Sequence, residues 1–287
     1  MKIQFTKMEG LGNDFIILDD RKAKISAHTP YNELAIKLCS RHFGIGADGI
    51  ILILNSKKHD IGFRIFNSDG SEGQMCGNGM RCFAKLLYEK KIMTKKSFQV
   101  ETQVGTVIPE LIVNDADQVL SICVDMGEPI LVCRDIPFLS LNERAIEESL
   151  LAGGREYIIT SVFMGNPHAV IFVDNYESLN LEKEGRAIEI HERFPQKANV
   201  EFIQVLGKNE LNMKVWERGA GLTLACGTGA CAALIAAHIT GRTENRALIH
   251  LPGGDLDIYW DKNSNHIFKS GPANLVFEGW VEINRKD

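Results

Sequence analysis

The sequence lacks the features that mark several large classes of protein. Its 7 cysteines are odd in number and include no C-x-x-C pair, so their spacing describes neither a disulfide framework nor a zinc ribbon. Positive charge is not in excess: 32 Lys and Arg against 37 Asp and Glu leave a net charge of −5, which gives a phosphate backbone nothing to bind and argues against nucleic acid as a partner. No Gly-Lys-Ser/Thr phosphate loop occurs and no pyridoxal lysine is evident. A secretory core is missing too, since Met1 to Gly10 alternates apolar residues with Lys2, Lys7 and Glu9 as a strand does. Between Arg218 and Arg242 there is no Asp, Glu, Lys or Arg, yet Gly219, Gly221, Gly227 and Gly229 break its first part. What remains before Gly241 is about 12 residues of good helix, short of the ~20 that a bilayer needs. The expectation is therefore a cytoplasmic protein with reduced thiols, no membrane span, no metal and a small-molecule ligand.

What is present is an ordinary globular composition, 45% hydrophobic and 24% charged, over 287 residues, enough for one large domain or two of common size. Short β-branched runs, Ile3 to Met8, Phe15 to Leu18, Ile50 to Leu54 and Ile61 to Phe66, read as strands. Thr29-Pro30 reads as the start of a helix, with Thr29 the cap and Pro30 in the first turn, running to about His42. From Gly79, the set Met80, Phe83, Ala84 and Leu87 has the spacing of an amphipathic helix that ends at Lys90-Lys91.

This order recurs in the second half. Gly12-Asn13 before the strand Phe15 to Asp19 matches Gly165-Asn166 before Ala169 to Asp174, and Cys76-Gly77-Asn78-Gly79 matches Cys226-Gly227-Thr228-Gly229. The intervals are nearly equal, 63 residues from Asn13 to Cys76 and 60 from Asn166 to Cys226. At an offset of 150, Ile65-Phe66-Asn67 lies over Val215-Trp216-Glu217. Three matches in one order predict two structural repeats of roughly 125 to 145 residues, divided near the turn-rich Asp125 to Pro129.

Each repeat places a cysteine immediately before a Gly-x-Gly that starts a helix. Free N–H groups and the positive end of the helix dipole favour anions there, and thiols in such places titrate at ~3.5 to 7.5 instead of ~8.5. Two such helix starts would surround a small carboxylate with donors and set one sulfur on each side of its α-carbon. One thiolate would take the α-proton while the opposite thiol protonates the other face, which is what inversion of configuration needs. The N–H groups would then have to stabilise the enediolate-like charge without a cofactor. Cys39, Cys82, Cys123, Cys133 and Cys231 have neither the symmetry nor the helix-start context and read as packing residues. Gly227 to Ala232 also fits a loose G-x-G-x-x-A dinucleotide pattern, but no clear strand runs directly into its first glycine.

These residues resemble the diaminopimelate epimerase family. The resemblance rests on Lys7 to Phe15, Phe43 to Gly49, Ile65 to Glu72, Met75 to Gly79, Met164 to His168, Asn199, and Glu217 to Gly221 running on to Ala225 to Gly229. It covers nearly the whole chain. It implies an α+β fold of two pseudo-symmetric domains, each a barrel-like mixed β-sheet wrapped around a central helix, with the C-terminal strand returning to the first. The expected divisions are 1–125 plus 272–287, and 126–271. It implies a cofactor-independent isomerase interconverting LL- and meso-2,6-diaminopimelate, a precursor of lysine and peptidoglycan. By motif, Cys76 and Cys226 would be the acid/base pair, with Cys226 the base towards the LL substrate. Gly77-Asn78 and Gly227-Thr228 would give N–H donors to the reacting carboxylate. Asn13, Asn67, Asn166, Asn199, Glu217 and Arg218 would bind substrate, Arg218 holding the distal carboxylate, and His168 and Glu217 would tune the thiols.

Two departures stand out: Gly49 where some members carry a glutamine ligand, and Leu222 where many carry Glu. The alternatives are a proline racemase or hydroxyproline epimerase on the same fold, a non-catalytic amino-acid binding protein, and a zinc or redox protein. The sequence leaves the assembly open, a homodimer being one option.

Overall fold

The structure, a computed structural model, describes residues 1–176 and 178–283. It divides into two compact units, one running Met1–Val124 and resuming at Gly271, the other Asp125–Ser270. The last four residues of the segment assigned above to the first domain, 284–287, lie outside the described residues.

In the first unit, β1 (Lys2–Gly10) and β2 (Asn13–Asp19) form a hairpin. Its two turn residues, Leu11 and Gly12, both have positive φ, 60° and 84°, the twist a two-residue hairpin favours. The turn sets Asn13 at the first position of β2, paired with Gly10. Next come α1 (Tyr31–Cys39), β3 (Gly49–Leu54), β4 (Ile61–Asn67), β5 (Glu72–Gly73), α2 (Gly77–Glu89), β6 (Val100–Thr102), β7 (Gly105–Val107) and the hairpin β8 (Glu110–Val113) with β9 (Val119–Asp125).

The second unit follows with β10 (Glu148–Ala152), β11 (Arg155–Phe163), β12 (Pro167–Phe172), α3 (Leu181–Glu189), β13 (Asn199–Gly207), β14 (Glu210–Glu217), β15 (Gly221–Thr223), α4 (Gly227–Ile239), β16 (Arg246–Leu251), β17 (Gly254–Trp260) and β18 (Ile267–Gly271). The chain then returns as β19 (Asn274–Glu282), antiparallel to β1.

The repeat seen in sequence is a repeat of pairings. The first unit orders its strands β19-β1-β2-β3-β4-β6-β7 and the second β10-β11-β12-β13-β14-β16-β17. The signs agree throughout: β2–β3 and β12–β13 are parallel, as are β4–β6 and β14–β16, and the other neighbours in these rows are antiparallel. The fold is thus α+β, with mixed sheets and few helices.

Each sheet holds its longer helix on one face and its shorter helix on the other. Ile16, Leu18, Ile50 and Leu52 join Leu34, Ala35 and Leu38 of α1. The alternate Ile51, with Ile65, lies instead against Gly79 of α2, as the two-residue period of a strand requires. In the second unit Ala169, Ile171, Val200 and Phe202 join Ile188 of α3. Helix α4 packs on β11, β12, β13, β14, β16 and β17, and every residue from Gly229 to Ala237 is buried. That accounts for the uncharged stretch, since a helix apolar all round belongs inside. Among the described residues no helix is long and apolar enough to cross a membrane.

The start of α1 differs from the sequence reading. Pro30, with ψ 141°, is the half-in residue whose carbonyl accepts from Leu34 N–H, while Thr29 makes no cap. The helix stops at Cys39 instead of His42 because Ser40 turns out of helical geometry, ψ 118°.

Gly185 in α3 lies so close to Trp216 that an added Cβ would sit 2.6 Å from the Trp216 Cβ and Cγ. In an open helix Gly→Ala gains up to ~1 kcal/mol. Here overpacking reverses the sign, and we expect Gly185→Ala to lower the unfolding free energy by about 1–3 kcal/mol in urea titrations.

Candidate active site

In the first unit, Cys76 is the N-cap of α2, in extended conformation at φ −136° and ψ 118°. Gly79 N–H donates to its Sγ at 3.4 Å and Met80 N–H to its carbonyl at 2.8 Å. The first turn of a helix has four N–H groups without helical partners, so the helix leaves Gly77 and Asn78 to point outward. The Cys76 thiol faces Asn13 Oδ1 at 3.7 Å, and Asn78 Nδ2 reaches the same oxygen at 3.5 Å. Asn13 in turn donates to Asp48 at 2.7 Å, and Arg81 donates to Asn78 Oδ1 at 2.9 Å. Arg41 bridges Asp48 and Asp14, and the buried Lys7 pairs with Asp14 at 2.7 Å. Burial alone would raise the Asp14 carboxyl, but Arg41 and Lys7 outweigh it and hold the group down at about 2. Asn67, exposed at the end of β4, donates to Ser71 Oγ at 2.9 Å.

The second unit repeats the helix start. Cys226 caps α4 at φ −121° and ψ 111°, Gly229 N–H donates to its Sγ at 3.4 Å, and Ala230 N–H to its carbonyl, which leaves Gly227 and Thr228. The surroundings differ. His168 Nδ1 is 2.6 Å from Glu201 Oε1 and its Nε2 is 2.8 Å from Asn166 Oδ1, with both members of the His–Glu pair fully buried. Glu217 accepts from Thr223 Oγ1 at 2.5 Å and from the Cys226 thiol. Burial pushes the Cys226 thiol well above the usual range, and the carboxylates of Glu217 and Glu201 push it further, more than Thr228 and the Gly229 N–H offset. Burial also raises the Glu217 carboxyl. Burial and the neighbouring carboxylates thus favour the neutral thiol at Cys226 in the unliganded chain.

Asn199 is buried with its amide turned inward. Its Nδ2 donates to the Pro167 carbonyl at 3.3 Å and its Oδ1 accepts from Arg218 N–H at 2.9 Å, leaving one donor and one lone pair. Glu189 accepts from Gly219 N–H and from Trp216 Nε1, so the loop that carries Arg218 is fixed at its backbone while the exposed guanidinium reaches the Gln196 carbonyl at 3.0 Å. The structure also explains one departure. Gly49 lies in β3 where an added Cβ would meet the Phe66 carbonyl at 2.6 Å, so this backbone admits no longer side chain without moving. Leu222 is exposed, next to Thr223.

Sequence reasoning missed Glu201, Asp48 and Arg81 as parts of these clusters. A usable signal existed for two of them: Glu201 is a charge inside the otherwise apolar Val200 to Ile203, and Arg81 falls on the apolar side of α2 between Met80 and Phe83. The remaining cysteines named for packing include Cys39 and Cys82, both buried and both pushed up to about 12 by that burial, and Cys231, pushed to about 11.

The Bacillus anthracis phenazine biosynthesis protein of the PhzF family superposes with a TM-score of 0.71 at 18% identity, covering 99% of this chain and 100% of the other. A hydroxyproline epimerase from Agrobacterium vitis gives 0.67 at 15% identity, covering 98% and 92%. The fold is therefore the two-unit fold shared by these epimerase and PhzF proteins. The sequence matches the family described as "Diaminopimelate epimerase" over residues 5–132 and 160–276, and it is 60% identical to the "Diaminopimelate epimerase" of Desulforapulum autotrophicum across 99% of this chain and 100% of that one. The chain belongs to the diaminopimelate epimerase family.

Removing one of the two like charges around Cys226 favours its thiolate. We expect Glu217→Gln to speed iodoacetamide labelling of Cys226 at pH 7.5 by up to roughly tenfold, the thiolate change for one pKa unit. Peptide mapping by mass spectrometry gives the rate, and an unchanged or slower rate would contradict the electrostatic account.

Proposed function

We propose that this chain interconverts LL- and meso-2,6-diaminopimelate by a two-thiol, cofactor-independent proton transfer. The observation that carries the reading is the pair of repeat-related cysteines, each an N-cap whose sulfur accepts the third N–H of its helix, in a chain that matches the family through both repeats. A thiol has a single proton to give, so inversion by thiols needs one as base and another as acid. Cys76 and Cys226 are that pair, and burial together with the nearby carboxylates favours the neutral thiol at Cys226.

The N–H groups of Gly77, Asn78, Gly227 and Thr228 take the charge that develops on the reacting carboxylate as the α-proton leaves, the same kind of stabilisation that an oxyanion hole supplies. Asn13, Asn67, Asn166, Asn199 and Glu217 orient the ammonium and carboxylate groups, and Arg218, with its bidentate fork, suits the distal carboxylate. His168 acts through Asn166 and Glu201, and Glu217 acts on the Cys226 thiol directly. The demand for a second charged end separates this reading from a proline racemase, whose substrate has no distal carboxylate for Arg218 to hold.

The test is proton NMR of LL-diaminopimelate in D₂O with reduced, chelator-treated protein, beside L-proline and trans-4-hydroxy-L-proline. We expect loss of the α-proton signal with the meso isomer appearing, no exchange of the cyclic amino acids, and a drop of at least ~10²-fold for Cys76→Ser or Cys226→Ser. Exchange of proline alone would contradict the substrate, and full activity in either serine variant would contradict the mechanism.

The finer partner reading is a homodimer. Edge strand β19 exposes Leu275, Val276, Phe277 and Trp280, apolar residues that a second copy would cover. We expect sedimentation to give a dimer that Trp280→Glu converts to monomer; a monomeric parent chain would count against it.

A further inference from the structure

We propose that Asp48 and Arg81, neither of which touches the sulfur, are positioning residues that lock two asparagine amides in one direction, so that Asn13 presents its oxygen and not its NH₂ group to Cys76. The inference rests on the reading of Cys76 as a catalytic thiol, but the geometry belongs to the first unit alone.

The lock follows from what each end can do. A carboxylate only accepts, so the side-chain nitrogen of Asn13 must face Asp48, at 2.7 Å, and its oxygen must face the other way. A guanidinium only donates, so Asn78 must turn its oxygen to Arg81, at 2.9 Å, and its nitrogen to the Asn13 oxygen, at 3.5 Å. The two constraints are independent and agree. Hydrogen bonds run one way from the cation of Arg81 through Asn78 and Asn13 to the anion of Asp48, and neither amide can turn without setting like against like. Cys76 Sγ meets this row at the Asn13 oxygen, 3.7 Å away, which gives the thiol hydrogen one fixed acceptor.

Arg81 is costly for a core, which argues that it serves something besides packing; Asp48 is half-exposed and also accepts from the Asp14 N–H at 3.1 Å. Arg81 is fully buried, and only two of its three guanidinium nitrogens are engaged: Nε donates to the Pro272 carbonyl and Nη1 to Asn78, while Nη2 has no partner among the described residues and lies against Gly10. The repeat-equivalent positions, at the same offset of 150, are the buried Ala198 for Asp48 and the buried Cys231 for Arg81, so the fold accepts small uncharged residues in both places. Asp48 is steadied by Arg41, and Asp14 and Lys7 stand behind Arg41; Glu9 is the other charged group that acts on Arg81. In the second unit the matching asparagine, Asn166, faces Nε2 of His168, whose other ring nitrogen faces the Glu201 carboxylate. One half of the repeat thus anchors its asparagine on an ion and the other on an imidazole.

Asp48→Asn is isosteric and removes the acceptor-only end, leaving only the longer 3.5 Å contact from Asn78 to hold the Asn13 amide, so part of the population turns its NH₂ group to the sulfur and stabilises a thiolate. We expect iodoacetamide labelling of Cys76 in the full chain at pH 7.5, read by peptide mapping, to rise at least threefold. Epimerisation should lose at least tenfold in kcat with KM within threefold. The exchange Asn13→Asp with Asp48→Asn restores an oxygen towards the sulfur, and labelling should fall back to the parent rate or below. For Arg81, Lys keeps a donor-only group, and we expect Arg81→Lys to retain at least fivefold more kcat than Arg81→Met. Labelling unchanged in Asp48→Asn, or equally raised in the exchanged pair, would overturn the lock, and equal kcat for Lys and Met would remove Arg81 from it. Labelling needs no substrate, so a mistaken substrate would show as inactive parent protein without altering this result.

Discussion

Everything in the two clusters depends on a cysteine standing where a helix normally takes Ser, Thr, Asp or Asn. The sulfur accepts the third N–H of its helix, the carbonyl of the same residue accepts the fourth, and the first two remain available. One residue thereby places a thiol at the helix start and leaves two oriented donors beside it. A hydroxyl or carboxylate would cap at least as well, so helix stability does not account for the thiol. The glycines next to each thiol keep the helix start narrow: Gly79 and Gly229 pack on Ile51 and Glu201 with no space for a side chain.

The two repeats share a backbone and differ in charge. Positions that are Ile51 and Asn67 in the first unit are Glu201 and Glu217 in the second, and Phe15 gives way to His168. The first thiol is only partly buried and sits in a row of neutral amides anchored by distant charges. The second is buried among carboxylates and an imidazole. Inversion of an α-carbon is symmetrical in principle, but the two thiols of this chain have unlike surroundings. The duplicated fold provides equivalent positions, and substitution at a few of them provides the difference.

The strands and the thiol-bearing helix starts were legible because their signals are local. Alternation marked β1 to β4, and Cys-Gly-x-Gly repeated at nearly equal intervals marked the starts of α2 and α4. The exchange between Thr29 and Pro30 at the start of α1 was beyond reach, since it turns on a single ψ angle. The pairing of β19 with β1 had no local signal at all, because Ile3 meets Val281 across almost the full chain and only the resemblance suggested it. Glu201 and Arg81 interrupt apolar patterns in the sequence, and the structure shows that both are fully buried. Asp48 is readable only through the amide that it orients.

The central claim is that two single-proton groups act on opposite faces of one α-carbon, and isotope position in the first turnovers tests it most directly. With LL-diaminopimelate in D₂O, a thiol that removes hydrogen from one face is not the group that returns one to the other. The account predicts solvent deuterium at the inverted centre of the earliest meso product while the recovered LL isomer stays unlabelled. Early deuterium in the recovered LL isomer at a comparable rate, or meso product retaining the original hydrogen, would point to a single base and contradict the account.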